Sequence, residues 1–176
     1  MNRSSKAIAI RCDLPDACPI AGVCAVGYEE RVPCLDIWQA HDRKLRLCEA
    51  IEAIADGLPS AVDRLQCLQI ANQLVPLLRE SHRYEEEHVF PVFERACGQD
   101  AGASAASIRR LKAEHVEDEC AAQDLTEVLL DIGHGGSVHN PEALGFMMRA
   151  FFETIRRHIA FEREHVVPVI ACAERE

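Results

Sequence analysis

The sequence predicts an all-α protein, an antiparallel up-down-up-down four-helix bundle that follows an irregular N-terminal arm. Three observations support this fold class. Apolar residues recur at steps of three and four in four segments, short turns join the segments, and no segment alternates as a half-buried strand would. A chain of 176 residues suits one domain with a proper core. We therefore expect an arm over residues 1–34 and a helical domain over residues 35–176.

The arm carries Cys12, Cys18, Cys24 and Cys34 among prolines and has no sustained period. Nine cysteines are many for this length, but their number is odd and no Cys-x-x-Cys pair occurs. This usage disfavours a disulfide framework and a thiolate zinc site. We expect these thiols to be structurally incidental.

Composition limits the class of partner. The net charge of −10 and the absence of a clustered basic face disfavour nucleic acid binding. No apolar run approaches the length of a membrane span, and the N-terminal apolar stretch is too short for a secretory signal. We expect a cytoplasmic protein with neither nucleic acid nor membrane as a partner.

The first two helices are bounded by turn and cap residues. The first runs from Asp36 to a stop at Gly57. Ser60-x-x-Asp63 resembles a capping box for the second, and Pro76 and Pro91 should each bend that helix locally. Its expected core stripe consists of Leu65, Leu68, Val75, Leu78, His82, Glu86, Val89 and Phe93.

The last two helices are bounded in the same way. The third follows a turn of small residues over 98–104 and ends at Gly133. The fourth begins at Asn140-Pro141, an Asn cap with proline at the first helical position.

A duplicated segment carries the chemistry. His82 precedes Glu86 by four residues, His158 precedes Glu162 by four, and both copies continue into Glu-His-Val-x-Pro. Positions i and i+4 share one helix face, so imidazole and carboxylate should converge. The first and third helices add one histidine each, His41 and His115. Antiparallel helices should place His115 beside His158, whereas the levels of His41 and His82 differ by about six residues, or about 9 Å.

Four imidazoles and two carboxylates in an apolar core need a compensating partner, because unsatisfied buried polar groups are costly. A pair of metal ions would supply it, with two histidines on each ion and both glutamates bridging. Imidazole and carboxylate without thiolate suit iron or manganese better than structural zinc.

A rival set of ligands uses the Glu-x-x-His spacing of ferritin-like sites, which occurs at Glu85-x-x-His88 and at Glu162-x-x-His165. We disfavour it because His88 should point off the core stripe. His165 remains a possible proton relay or orienting group, and Trp38 a wall of the pocket.

With these motifs, residues 34–174 resemble the haemerythrin family, in its bacterial HHE cation-binding branch. The resemblance rests on His41, on His82 and Glu86 followed by Val-Phe-Pro, on His115, and on His158 and Glu162 followed by Val-Val-Pro. It implies that these six residues are the ligands of two non-haem iron ions, oxo- or hydroxo-bridged.

Two departures narrow the function that the resemblance implies. Oxygen-carrying members have a second histidine four residues after the third-helix ligand, and Glu119 stands there in this chain, which disfavours reversible oxygen transport. The Cys-Cys-Gly-Gly arm of the iron–sulfur repair branch is also missing from the sequence.

Three functions follow as hypotheses. The leading one is binding of oxygen or a related small oxidant for sensing, storage or protection. The second is an enzyme that turns over peroxide or nitric oxide, with Glu119 or Tyr84 assisting proton movement. The third is an interaction module in which iron stabilises the bundle and the cysteine-bearing arm engages a protein partner.

Overall fold

A computed structural model of the chain describes residues 33–98 and 101–173, with side chains from residue 36 onward in the first range and from 102 in the second. Every element within these ranges is helical, so the all-α prediction is confirmed. Most of the predicted arm, residues 1–32, lies outside the described residues. Pro33 and Cys34, assigned to the arm from sequence, already belong to the first helix.

The described residues form six α-helical segments and two π-helical turns. Helix α1 covers Pro33–Gly57, α2 Arg64–Tyr84, α3 Phe90–Cys97, α4 Ala101–Gly133, α5 Pro141–Phe161 and α6 Val167–Ala173. The first π turn, Glu85–Val89, joins α2 to α3, and the second, Glu162–Val166, joins α5 to α6. None of these helices is long and apolar enough to cross a membrane.

The helix starts show which cap signals were read correctly. Asn140 caps α5 as predicted, and its side-chain oxygen accepts a hydrogen bond from the amide of Ala143 at 3.0 Å. Helix α2 begins three residues later than Ser60-x-x-Asp63 suggested. Asp63 is itself the N-cap, because its carboxylate accepts from the two amides that follow Arg64, and Ser60 lies in the preceding turn.

Helices α1 and α5 pack with their residues in opposite order. Arg149 bonds Asp56 at 2.8 Å, and Arg163, one helical element later, bonds Asp42 at 3.1 Å. The second of these pairs holds the first half of α1 beside the second π turn. The same opposite order relates α2 and its π turn to α4, in the pairs Arg79–Glu119 (3.3 Å) and Glu86–Lys112 (3.3 Å).

The core has apolar layers on both sides of a polar layer. One apolar layer contains, among others, Ile51, Leu74, Leu125 and Ile155. The apolar layer on the other side of the polar layer contains Ile37, Val89, Phe90, Phe93, Leu111, Val166 and Ile170, which are all buried. Burial of these side chains excludes water from the polar groups between them.

The two π turns occupy equivalent places in the two halves of the chain. In the first, the amide of Phe90 bonds the carbonyl of Glu85, five residues back; in the second, the amide of Val167 bonds the carbonyl of Glu162. A proline lies two residues after the end of each turn, Pro91 or Pro168, and has no amide hydrogen to continue the α-helical ladder. Each π turn begins at a buried glutamate, Glu85 or Glu162. Single π turns within α-helices often occur at functional sites.

Candidate metal centre

The polar layer contains nine buried side chains, each at most 3% exposed. It brings together all four histidines that the sequence singled out, together with Glu162. Its members are His41, Lys44, Ser81, His82, Glu85, His115, Asp118, His158 and Glu162.

Glu86 does not lie in this layer, contrary to the sequence-based expectation. Glu85 is there instead, fully buried, whereas the Glu86 side chain is 34% exposed. Glu86 contacts the layer only from outside, where its Oε1 accepts a hydrogen bond from Nδ1 of His115 at 2.9 Å. The carboxylate that faces the centre of the bundle from the second helix is therefore Glu85.

The reason is the rotation of α2 about its axis. The line of buried residues Cys67, Leu74, Leu78 and Ser81 continues one turn later at Glu85, and Ile70, Ala71 and His82 are buried beside it. The predicted stripe is correct at Leu78, His82, Val89 and Phe93, which are buried. It is wrong at Leu65, which is 64% exposed, and at Glu86.

Three imidazoles stack at the centre of the layer. The rings of His82 and His115 are parallel within 3°, with centroids 4.0 Å apart, and the ring of His158 lies 5.0 Å from that of His115. The predicted adjacency of His115 and His158 is thus observed.

Each of these three rings has a carboxylate beside its Nδ1 atom. Nδ1 of His82 donates to Oε1 of Glu119 at 3.1 Å, and Nδ1 of His115 donates to Glu86. Nδ1 of His158 faces Oε2 of Glu114 at 3.3 Å, although not in hydrogen-bond alignment. An ionised carboxylate only accepts, so it keeps the proton on Nδ1 and leaves the Nε2 lone pair available.

His41 has the opposite arrangement. Nε of Arg163 donates to its Nδ1 at 3.4 Å, and its Nε2 lies 2.8 Å from Oε2 of Glu162. Burial lowers the pKa of His41 despite the bond to Glu162, so the ring is neutral and carries one proton. Because Nδ1 accepts from Arg163, that proton is on Nε2 and is donated to Glu162.

Lys44 is a fully buried ammonium within the layer. Its Nζ donates to Oε1 of Glu85 at 2.7 Å, and the hydroxyl of Ser81 donates to the same oxygen at 3.0 Å. Burial alone would lower the pKa of Lys44, but the charges of Glu85 and Glu162 outweigh it and raise that pKa. Lys44 therefore stays cationic.

The buried carboxylates differ in protonation. Burial would raise the pKa of Glu162, as would Glu85, but the neighbouring His158 ring, the hydrogen bond from His41 and the charge of Lys44 bring it to about 2. Asp118 has weaker compensation, and burial raises its pKa to about 6. For His82, burial and then the charges of His115 and Lys44 lower the pKa to about 2, so this ring is a neutral donor.

Several buried atoms of the layer have no hydrogen-bond partner. They include Oε2 of Glu85, Nε2 of His115, both ring nitrogens of His158 and Oε1 of Glu162. Oε2 of Glu85 lies 3.1 Å from Nε2 of His115, and Oε1 of Glu162 lies 3.7 Å from Nε2 of His158. Carboxylate oxygens and ring nitrogens that face one another without an aligned hydrogen bond fit a cation between them.

Two overlapping groups have the spacing of metal ligands, with one ligand atom from each residue and all within 4.8 Å. The first consists of His82, Glu85 and His115, and the second of His41, Glu85 and Glu162. Glu85 belongs to both.

The remaining predicted residues lie around the layer. Trp38 stands edge-on to His41 with ring centroids 6.2 Å apart, as a wall of the predicted pocket would. The Tyr84 hydroxyl donates to Asp36 at 3.4 Å. The side chain of His165 is 52% exposed and reaches Glu164 at 3.9 Å, at the surface rather than in the layer.

Sequence reasoning missed Lys44 and Asp118, although a signal for both exists. Each lies three residues after a lone histidine, His41 or His115, so each shares that histidine's helix face. Glu85 could have been found by aligning the two Glu-x-x-His-Val-x-Pro segments from their prolines, which places it opposite Glu162.

Comparison with known proteins supports a cation-binding domain. Residues 36–170, most of the chain, match the family model of the haemerythrin HHE cation-binding domain. No curated protein and no solved structure was found to match.

Proposed function

The chain belongs to the haemerythrin HHE cation-binding family, and from this premise we propose that it binds non-haem iron in its polar layer. We further propose that the reduced iron binds oxygen or a related small oxidant, in sensing, storage or oxidative-stress protection. The proposal takes the bundle as up-down-up-down, which the opposite order of the α1–α5 and α2–α4 contacts supports. The acidic net charge of −10 favours a site of action away from nucleic acid.

The observation that carries the proposal is the set of buried atoms without partners. Such atoms in the free state cost free energy, on the order of 1–3 kcal/mol each. A divalent cation would satisfy Oε2 of Glu85, Oε1 of Glu162 and the Nε2 atoms of His115 and His158 together. Nitrogen and oxygen donors without thiolate suit iron, the metal commonly bound in this family.

The family resemblance implies two bridged iron ions, and the two ligand groups that share Glu85 would be the positions for them. The number of ions bound depends on Lys44, which already bonds Oε1 of Glu85. Ferrous iron would supply electrons and an open coordination position for the oxidant.

The protein's own side chains would control access and protonation. Phe90 packs its ring 5.7 Å from that of His115 and, with the apolar layers, excludes bulk water. Glu119 bonds the outer nitrogen of His82 and is 28% exposed, so its second oxygen reaches toward Arg79 and solvent. This position suits a carboxylate that orients His82. Oxygen carriers of the family have a histidine where this chain has Glu119, so the substitution favours oxidant binding in another role than oxygen transport.

Metal content is the first test. After anaerobic reconstitution with ferrous iron and removal of excess, the purified chain is expected to retain iron. Glu162→Gln should reduce the retained iron strongly, because it removes a buried carboxylate. Glu164→Gln, two residues away on a side chain that is 75% exposed, should not. Equal iron in both variants, or no retained iron in the native chain, would contradict the proposal.

Rapid mixing of the ferrous protein with oxygen then separates binding from turnover. A charge-transfer band that disappears when oxygen is removed supports oxidant binding. Rapid irreversible oxidation with consumption of added peroxide supports the enzymatic alternative instead.

A further inference from the structure

We infer that the centre holds one iron ion rather than two, on the side of His82, His115 and His158, because Lys44 and Arg163 take the place of a second ion beside His41. The inference rests on the proposed function, since it presupposes that iron binds in the polar layer. It differs from the two-ion centre that the family resemblance implies.

The first argument concerns the oxygen atoms of the two glutamates. Oε1 of Glu85 already accepts from Nζ of Lys44 at 2.7 Å and from Ser81 at 3.0 Å, and Oε2 of Glu162 accepts from His41 at 2.8 Å. The opposite oxygens, Oε2 of Glu85 and Oε1 of Glu162, have no partner. Each carboxylate therefore has one oxygen bonded by the protein and one left over.

The second argument concerns the histidine tautomers. A ring binds metal through Nε2 only when its single proton is on Nδ1, and an acceptor beside Nδ1 stabilises that state. His82 and His115 have such acceptors in Glu119 and Glu86. Nδ1 of His158 faces Glu114 at 3.3 Å and Asp118 at 3.8 Å.

His41 lacks such an acceptor. Its Nδ1 receives a hydrogen bond from Arg163, which only donates, so its proton is on Nε2 and points at Glu162. Arg163 is fixed in this position by Asp42 at 3.1 Å and by the Trp38 ring, 4.5 Å below its guanidinium carbon. His41 is thus arranged as a hydrogen-bond donor to Glu162, not as a ligand.

The third argument is the charge of the layer. One divalent ion and Lys44 together carry as much positive charge as Glu85, Glu162 and Asp118 carry negative charge. A second divalent ion would place uncompensated positive charge beside a buried ammonium, and such charge is costly in a dry interior.

The test counts ions. The native chain, titrated anaerobically with ferrous iron and analysed for iron per chain, is expected to saturate at one ion, with a single ferrous environment by Mössbauer spectroscopy. The double variant Lys44→Met/Arg163→Gln, which removes both stand-in cations, should gain a second ion at higher iron concentration. A control double variant, Lys112→Met/Arg149→Gln, removes two exposed cations and should stay at one.

A second comparison separates His41 from the other histidines. His41→Gln keeps a donor toward Glu162 and should retain one ion with affinity within about threefold of the native chain. His158→Gln should lose at least about 10-fold in affinity, of the size seen when metal sites lose a supporting group. Circular dichroism at each titration temperature shows that both variants are folded.

The possible outcomes distinguish this inference from the proposed function. Two ions in the native chain, or loss of the single ion in His41→Gln, would overturn the single-ion inference and leave iron binding intact. A cation-depleted double variant that still holds one ion would overturn the assignment of the second position to Lys44 and Arg163. Failure of the native chain to bind iron at all would overturn both.

Discussion

Two adjacent glutamates, Glu85 and Glu86, have opposite electrostatic surroundings. Glu85 is fully buried, and despite the desolvation that would raise its pKa, Lys44 and then His115 hold that pKa well below its ordinary value. Glu86 is a third exposed, and its partners His115 and Lys112 lie at the edge of the layer. Successive residues of a helix point in different directions from its axis, and this difference places Glu85 in the layer and Glu86 at its edge.

Substitution of these two glutamates should therefore have unequal effects on stability. Glu85→Gln leaves the Lys44 ammonium buried without its anion, so we expect a loss of about 3–5 kcal/mol in the free energy of unfolding. Glu86→Gln should cost less than about 1 kcal/mol, as partly exposed ion pairs do. Urea unfolding of the metal-free chain measures both.

The cause is tested by a compensating change. Adding Lys44→Met to Glu85→Gln removes the stranded charge and should recover much of the lost stability. Similar losses in Glu85→Gln and Glu86→Gln, or no recovery in the double variant, would show that the Lys44–Glu85 pair is not what the substitution breaks.

The site could be predicted from sequence only to the precision of a helical stripe. The four histidines and Glu162 were identifiable because a duplicated spacing selected them. Glu85 was not, because i+3 and i+4 share one face and His82 has a glutamate at both positions. Which of the two is buried depends on the packing of Cys67 and Leu74 against the rest of the core, and spacing from His82 alone does not contain that information.

At the scale of elements, the two π turns allow the polar segments Glu85–Val89 and Glu162–Val166 to direct one glutamate each into the core. The first turn contains one residue more than an α-helical turn would, and Glu87 in it is exposed. The sequence predicted a local irregularity near Pro91 through the missing amide. It could not predict the π turn, because a kink and a π turn both satisfy that requirement.

Deletion of Glu87 should convert the first π turn into regular α-helix. The apolar residues Val89, Phe90 and Phe93 stay on the core face, since the removed residue is the inserted one. We expect a melting temperature close to that of the native chain, because the apolar face is kept. Iron affinity should fall by at least about 10-fold, because the π turn begins at Glu85 and its loss would move that carboxylate relative to the other candidate ligands.

Deletion of Gln123, an exposed residue in regular helix α4, provides the contrast. It rotates the following core residues Leu125 and Leu129 by about 100° and should prevent folding. Native iron affinity in the Glu87 deletion would argue that the π turn does not position Glu85. Thermal denaturation and anaerobic iron titration are the measurements.

At the scale of the molecule, the fold followed from sequence more completely than the site did. Helix α5 begins where its Asn-Pro signal placed it, and α4 ends at Gly133 as expected. Core apolarity and caps are local and repeated, so errors of a residue or two do not alter the fold class. Which residues form a buried polar layer depends on the rotation of each helix about its axis. An error of one residue in predicting that rotation therefore changes the members of the layer.

A buried layer with unpartnered atoms should make stability depend on the metal. At a free ferrous iron concentration 100 times its dissociation constant, binding stabilises the folded state by about 2.7 kcal/mol. For a domain of this size that corresponds to a rise of about 5–10 °C in melting temperature. Anaerobic calorimetry of chelator-treated and iron-loaded chain measures the shift, which should be smaller for His158→Gln. Equal melting temperatures with and without iron would contradict metal binding in the core.

The pH dependence of stability should carry the signature of Asp118. Burial raises the pKa of Asp118 to about 6 in the folded chain, above its ordinary value of 3.8. The folded state therefore binds this proton more tightly than the unfolded state. The contribution of protonated Asp118 to the free energy of unfolding is fully present below about pH 4. It falls as the pH rises toward 6 and is lost above about pH 6.

Asp118→Asn removes this titration. Between pH 4 and pH 7, the free energy of unfolding of the variant should therefore rise relative to that of the native chain by up to about 3 kcal/mol. Urea unfolding of metal-free protein at both values gives the difference, and taking it against the native chain cancels groups that titrate in both. Asp124→Asn, at an exposed position on the same helix, should show the same difference from native at both pH values. An Asp118→Asn advantage that does not grow with pH would mean that the carboxylate is solvated or paired in the folded chain, and the polar layer would then be wetter than its burial implies.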